Sequence, residues 1–382
     1  MELLLGILLG LFVLVVLVVV HELGHAIVAR RNGVVVEEFG IGFPPRAWKK
    51  KLKNGVLFSL NWLPLGGYVK LKGEHDSARG KGTYGQASFW VKTKILLAGV
   101  AVNWLVAALL FGVISLWGLP KLFSDQVVLP FDNNVTYSPL IIQQVGEGSP
   151  AEDAGLKPGD EITQLNDQKI VTASQISDAT KSLAGQEVII RYERAGETRS
   201  TIAQLNSADE AIDGGYLGVA SGQSETINAT WSAPILGIAT AGQMTYEVIG
   251  GLGETVAKLF SGFFGQFAAS DETRVEARQD LTKVGESVAG PIGILGVIFP
   301  SVLEAGLTQI LLLAAIISLT LAVMNMLPIP ALDGGRWFTM TIFRLLRKDL
   351  TKEREESIQV IGFLILMALM ILVTWSDLGK LF

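Results

Sequence analysis

The pentapeptide His21-Glu22-Leu23-Gly24-His25 sets two imidazoles four residues apart, with a carboxylate beside the first. On a helix, that spacing puts both rings on one face, where they can hold one zinc with the Glu as general base. Hydrolysis is the chemistry such a group performs. The motif ends an unbroken apolar run, Leu3 to Val20, and contains two of the chain's three histidines. Charged side chains inside a bilayer cost roughly 2.5–3.5 kcal/mol each, so ionisable groups at that depth are read as functional. The longer metzincin pattern is excluded, because it needs Gly and His where this chain has Val28 and Arg31. A third ligand must come from elsewhere in the chain.

A second polar interruption lies far downstream. The stretch Asn325-Met326-Leu327-Pro328-Ile329-Pro330-Ala331-Leu332-Asp333-Gly334-Gly335-Arg336 closes another apolar segment. Two prolines remove backbone donors and two glycines relax the chain, so regular helix stops here. Broken backbone carrying Asn and Asp near membrane depth reads as part of a site.

The elements that must position these groups follow from hydropathy. Spans are predicted at about 3–29, 95–119, 307–327 and 358–375. The first ends at Arg30-Arg31, which puts His21 roughly 13 Å inside its basic end. Residues 30–94 carry thirteen Lys or Arg against four acidic residues, densest at Lys49-Lys50-Lys51-Leu52-Lys53. Positive residues mark the cytoplasmic side, so this loop is predicted inside and both termini outside. Arg336, Arg344, Arg347 and Lys348 mark the same side after the third span. Both polar interruptions are therefore expected at one depth. Between the first two spans, Val56–Leu60 and Tyr68–Leu71 read as paired strands around Leu63-Pro64-Leu65-Gly66-Gly67, an apolar β-hairpin at the membrane. His75 lies among Glu74 and Asp76 and reads as solvated. Asn103, inside the second span, is expected to face other helices.

Composition fits this reading. Of 382 residues, 49% are hydrophobic and 18% charged, the balance of a membrane protein with a soluble insert. A net charge of −5 with no strongly basic domain argues against nucleic acid as a partner. No cysteine is present, which removes thiolate from the possible ligands and nucleophiles. The first helix lacks a basic n-region and a small-residue cleavage site, so it is read as a retained span. Four regions are expected: a first membrane half at 1–119, an extracytoplasmic insert at 120–228, an amphipathic membrane-surface region at 229–289, and a second membrane half at 290–382.

The insert carries Ser149-Pro150-Ala151-Glu152-Asp153-Ala154-Gly155-Leu156-Lys157-Pro158-Gly159-Asp160-Glu161-Ile162, followed by Leu165 to Ile170. This run resembles a bacterial PDZ domain, an α+β fold that binds extended peptides at a sheet edge. Together, the early membrane HExxH, the single PDZ pattern and Asn-x-x-Pro-x-Pro-x-Leu-Asp-Gly resemble the site-2 protease family of intramembrane zinc metalloproteases, and within it the regulator-of-sigma-E protease type. Gly66-Gly67-Tyr68-Val69 and Gly290-Pro291-Ile292-Gly293 match further segments of that family. One departure is Gly99-Val100-Ala101-Val102 before Asn103, where the family usually carries Gly-Pro.

The resemblance implies an α-helical polytopic membrane protein of about four spans, with a membrane-associated β-hairpin and an inserted α+β PDZ domain. It implies one zinc per chain, held by His21, His25 and Asp333, with Glu22 as base. Asn325, Gly66, Gly67 and Tyr68 would bind substrate. Expected substrates are transmembrane segments of single-pass proteins with a cytoplasmic N-terminus, such as anti-sigma factors already trimmed by another protease, or remnant signal peptides. The expected location is a bacterial cytoplasmic membrane. A different class, a non-catalytic PDZ-bearing scaffold, would be signalled by loss of Glu22 or a ligand, and none is missing.

Overall fold

The computed structural model describes residues 2–211, 215–267, 270–287 and 290–381. Four of its helices are long and apolar enough to cross a membrane: Glu2–Arg31, Phe89–Ser115, Leu307–Met326 and Lys352–Gly379. In hydrocarbon a helix satisfies its own backbone, so an apolar run without proline needs nothing more to form one. By contact, the chain divides into two compact units, residues 1–114 with 233–382, and residues 115–232.

The first unit opens with α1 (Glu2–Arg31). Strands β1 (Val36–Lys51) and β2 (Leu57–Leu71) follow, then α2 (Phe89–Ser115). The strands are longer than the sequence suggests and their pairing differs. Phe39 pairs with Val69 on one side and Phe58 on the other, so 36–41 lies between the two stretches read as partners. Lys49 and Lys51 pair in turn with Ser59 and Leu57. The acidic Glu37-Glu38 pair hid this inner strand from a hydropathy reading. Glu38 is buried, and it accepts hydrogen bonds from Arg46, from the Ser59 hydroxyl at 2.8 Å and from the Tyr68 hydroxyl at 2.7 Å. These bonds offset the cost of placing a carboxylate inside the sheet.

The second unit is the insert. Strands β3 (Leu119–Pro120), β4 (Asn134–Tyr137) and β5 (Ile141–Val145) lead to helix α3 (Pro150–Asp153). Then come β6 (Glu161–Leu165), β7 (Gln168–Lys169), α4 (Ala173–Ser182), β8 (Glu187–Arg194), β9 (Glu197–Gln204), β10 (Val219–Gly222) and β11 (Glu225–Asn228). The main sheet runs β10-β5-β6-β8-β9, with β7 on β6, and β3-β11-β4 form a small second sheet. Val188, Ile190 and Tyr192 alternate into a core with Leu140, Ile142, Ile162 and Leu205. The motif residues have local duties. Ser149 caps α3 by accepting from the Glu152 N–H. Asp160 is 1% exposed and accepts from Arg194 at 2.6 and 2.7 Å and from the Lys157 N–H at 2.8 Å.

Burial pushes the Asp160 carboxyl up, but the Arg194 guanidinium and the backbone N–H outweigh it and hold it below the usual range. The folded pKa is thus depressed. Its stabilisation is full above the ordinary carboxylate pKa of about 3.9 and is lost as pH falls through the lowered value. Asp160→Asn is expected to cost the insert about 2–3 kcal/mol at pH 7, and the difference should shrink below about pH 4. Urea-dependent proteolysis of the full chain at the two pH values measures this. A pH-independent difference would refute it.

Back in the first unit, α5 (Ala233–Gly265) and α6 (Asp271–Ser287) pack together where Gly262 meets Leu281 and Gly265 meets Ala277. The short helix α7 (Pro291–Gly293) widens through Ile294–Ile298 and continues as α8 (Phe299–Ala305). Helices α9 (Leu307–Met326), α10 (Asp333–Leu345) and α11 (Lys352–Leu381) complete the chain. The Asp377 carboxylate of α11 accepts from the N–H groups of Gly290 and Gly293, at 3.0 and 2.8 Å. Asn103 is buried on α2, and its backbone carbonyl accepts from the Ser318 hydroxyl of α9 at 2.8 Å.

Candidate metal centre

Three elements deliver the cluster. The buried stripe of α1 includes Leu17, His21, Gly24 and His25, so the helix turns both imidazoles inward. Helix α2 supplies the opposite wall. Its Ile95 carbonyl lies 2.7 Å from His25 Nδ1. A carbonyl only accepts, so Nδ1 donates to it, and Nε2 is the nitrogen that a metal would take. One turn further, Gly99 faces the imidazoles. A β-carbon there would lie 2.4 Å from His25 Nε2 and 2.5 Å from His21 Cε1. Helix α10 brings the carboxylate as its first residue. The chain doubles back so tightly that a β-carbon at Gly334 would meet the Met326 carbonyl at 2.2 Å, and one at Gly335 the Ile329 carbonyl at 1.9 Å.

His21 Nε2 and His25 Nε2 are 3.1 Å apart, and Asp333 Oδ2 lies 3.1 and 3.2 Å from them. Among the described residues this is the group of histidine and acidic side chains placed to hold a metal. The donors fit one. A tetrahedral ion with bonds of about 2.0–2.1 Å sets its ligands about 3.3 Å apart. The three observed separations, 3.1, 3.1 and 3.2 Å, match that spacing. Two imidazoles and one carboxylate are a donor set used by catalytic zinc, with the fourth position left for water or substrate.

Glu22 stands outside this trio. With His25 and Asp333 it lines a cavity of about 560 Å³, which is also walled by Tyr68, Tyr84, Arg336 and Glu355. Of the residues expected to bind substrate, Tyr68 lines this cavity, and Gly67 sits where a β-carbon would lie 3.5 Å from Glu22 Cγ. Gly66 adopts a left-handed conformation (φ +82°) against the Phe43 ring. Asn325 is half-buried on the last turn of α9, and its side chain makes no hydrogen bond among the described residues. His75 meets Ser77 Oγ at 3.1 Å and stays outside the trio. Sequence reasoning missed Gly99 and the Ile95 carbonyl. A glycine one turn before the polar Asn103, in an apolar helix, was the available signal.

A membrane-length helix carrying a zinc-type ligand pair, with a carboxylate beside it, points to one class: the membrane zinc metalloproteases. The model of Peptidase family M50 matches residues 9–369, and the chain belongs to that family. It is 29% identical to the zinc metalloprotease RasP of Shouchella clausii, over 96% of this chain and 97% of that protein. A putative zinc metalloprotease of Helicobacter pylori is 28% identical, covering 97% of this chain and 99% of its own length. Among solved structures, the PDZ domain of an SdrC-like protein from Listeria monocytogenes aligns with 23% of this chain and 92% of its own, at 25% identity and a TM-score of 0.20.

Proposed function

We propose that this protein is an intramembrane protease that holds one zinc through His21, His25 and Asp333 and hydrolyses peptide bonds within transmembrane segments. The observation that carries the reading is the near-equilateral triangle of ligand atoms at the inner end of a membrane-length helix. When bound, zinc lowers the pKa of a coordinated water to about 7 and polarises a carbonyl. Glu22 takes the proton of the attacking water and passes it to the leaving amine. Asn325, with its amide free, binds the substrate backbone or the developing oxyanion.

Substrate binding draws on the sheet. Residues 67–71 pair with 36–41 along one edge, and the other edge has no strand partner among the described residues. Tyr68, Val69 and Leu71 of that strand line the cavity beside Glu22. An extended segment added there would lie next to the catalytic carboxylate. A transmembrane helix must unwind first, so helix-weakening residues near the cut favour cleavage. The positive-inside rule, applied to the basic residues around the ends of α1 and α10, supports a centre toward the cytoplasm, in a bacterial cytoplasmic membrane with both termini and the insert outside. The insert filters substrates as a PDZ domain. The class that fits is single-pass proteins with a cytoplasmic N-terminus, anti-sigma-factor-like and trimmed beforehand, with remnant signal peptides as further members.

The test is metal analysis joined to cleavage of a model transmembrane segment carrying helix-weakening residues, with the full chain in detergent. About one zinc per chain is expected. Cleavage should stop on chelation and return with added zinc. A folded sample without zinc would overturn the proposal.

A further inference from the structure

Helix α10 begins at Asp333 with no side-chain hydrogen bond capping its N-terminus. An uncapped first turn frays, yet this turn carries the carboxylate that completes the ligand triangle. Something else must hold it. Arg336 lies one turn on, and its own N–H closes on the Leu332 carbonyl at 3.0 Å. Its Nε donates to Glu355 Oε1 of α11 at 3.0 Å, and Nη1 donates to Glu74 Oε1 at 3.1 Å. Nη2 donates to the Glu74 backbone carbonyl, and the guanidinium lies 4.8 Å over the ring of fully buried Tyr84. The acceptors are fixed in turn. Glu355, 5% exposed, takes the Asp76 N–H at 2.7 Å, and Glu74 takes the Leu71 N–H at the end of β2 at 3.2 Å.

We infer that Arg336 is the positioning residue of the metal centre: its clasp on Glu355, Glu74 and Tyr84 replaces the missing cap and holds Asp333 at the imidazoles. This rests on the metal-centre reading given above. A planar fork suits the role, because one side chain engages two carboxylates and an aromatic face at once. The clasp touches neither histidine, so its loss should loosen one ligand of the three. Outer partners of this kind typically change metal affinity by about 10–100-fold.

The experiment follows zinc release to an excess of chelator from the full chain in detergent. Arg336→Met is expected to release zinc about 10–100-fold faster than the parent, and Arg336→Lys, which keeps the charge without the fork, at an intermediate rate. Arg344→Met breaks a contact with the Phe89 ring at the far end of the same helix and should release zinc at the parental rate. Should Arg336→Met fail to fold, Glu355→Gln carries the test, with faster release expected. Parental release rates in the Arg336 variants, or in Glu355→Gln, would overturn the inference. Equal acceleration in Arg344→Met would do the same, since general loosening of α10 would then account for the effect. A parent that holds no zinc would instead bring down the metal-centre reading, and the clasp's role with it.

Discussion

Glu22→Gln is expected to bind zinc as the parent does and to cleave a transmembrane segment about 10²–10⁴-fold more slowly. The two halves of that expectation have separate origins. Zinc retention follows because Glu22 is not one of the three groups whose ligand atoms converge. Loss of rate follows because glutamine fills the same space but accepts no proton at neutral pH. The side chain lines the cavity next to His25 and Asp333, where a water between metal and substrate would sit, and Gly67 leaves it room on the sheet side. Single-turnover rates should fall while the substrate concentration at half-saturation changes little, the pattern of an interaction made only in the transition state. Parental cleavage would refute the assignment as base. Loss of zinc together with rate would instead make Glu22 a support of the metal.

Much of this arrangement can be read from residue types alone. The spans are legible because hydrocarbon leaves a long apolar run few options, and the ligand pair is legible because His21 and His25 share one helix. The limits have physical causes. Residues 36–41 look like loop because Glu37 and Glu38 break the apolar pattern, and only tertiary hydrogen bonds from Arg46, Ser59 and Tyr68 make Glu38 tolerable inside a sheet. The second span begins at Phe89 rather than near Ile95, since its first turns are mixed in polarity and gain their helix from packing. Asp333 comes from family resemblance together with a depth argument, because no local rule joins residues more than 300 positions apart. Arg336 looks like a topology marker in sequence, and its three partners come from α11 and from the connection between β2 and α2.

Gly99→Ala should cost the centre more than about 100-fold in zinc affinity, or more than about 2.8 kcal/mol. In an apolar helix this substitution ordinarily helps, by about 1 kcal/mol of propensity, so damage to α2 itself is not the route. The route is steric. The new β-carbon would fall 2.4 Å from His25 Nε2 and 2.7 Å from His21 Nε2, the two atoms that meet Asp333. A long flexible side chain would swing aside cheaply, but an imidazole moves only about two torsions. His25 is also held from the same helix by the Ile95 carbonyl, four residues before Gly99. Moving the ring breaks that bond or breaks the triangle, and moving α2 away breaks the bond as well. Zinc titration of the purified variant, beside a thermal melt of both proteins without metal, tests this. The expected outcome is a metal-free melt at or above that of the parent, with zinc no longer retained. Parental affinity would mean that α2 stands farther from the imidazoles than these distances allow, and that a side chain at position 99 is compatible with the site.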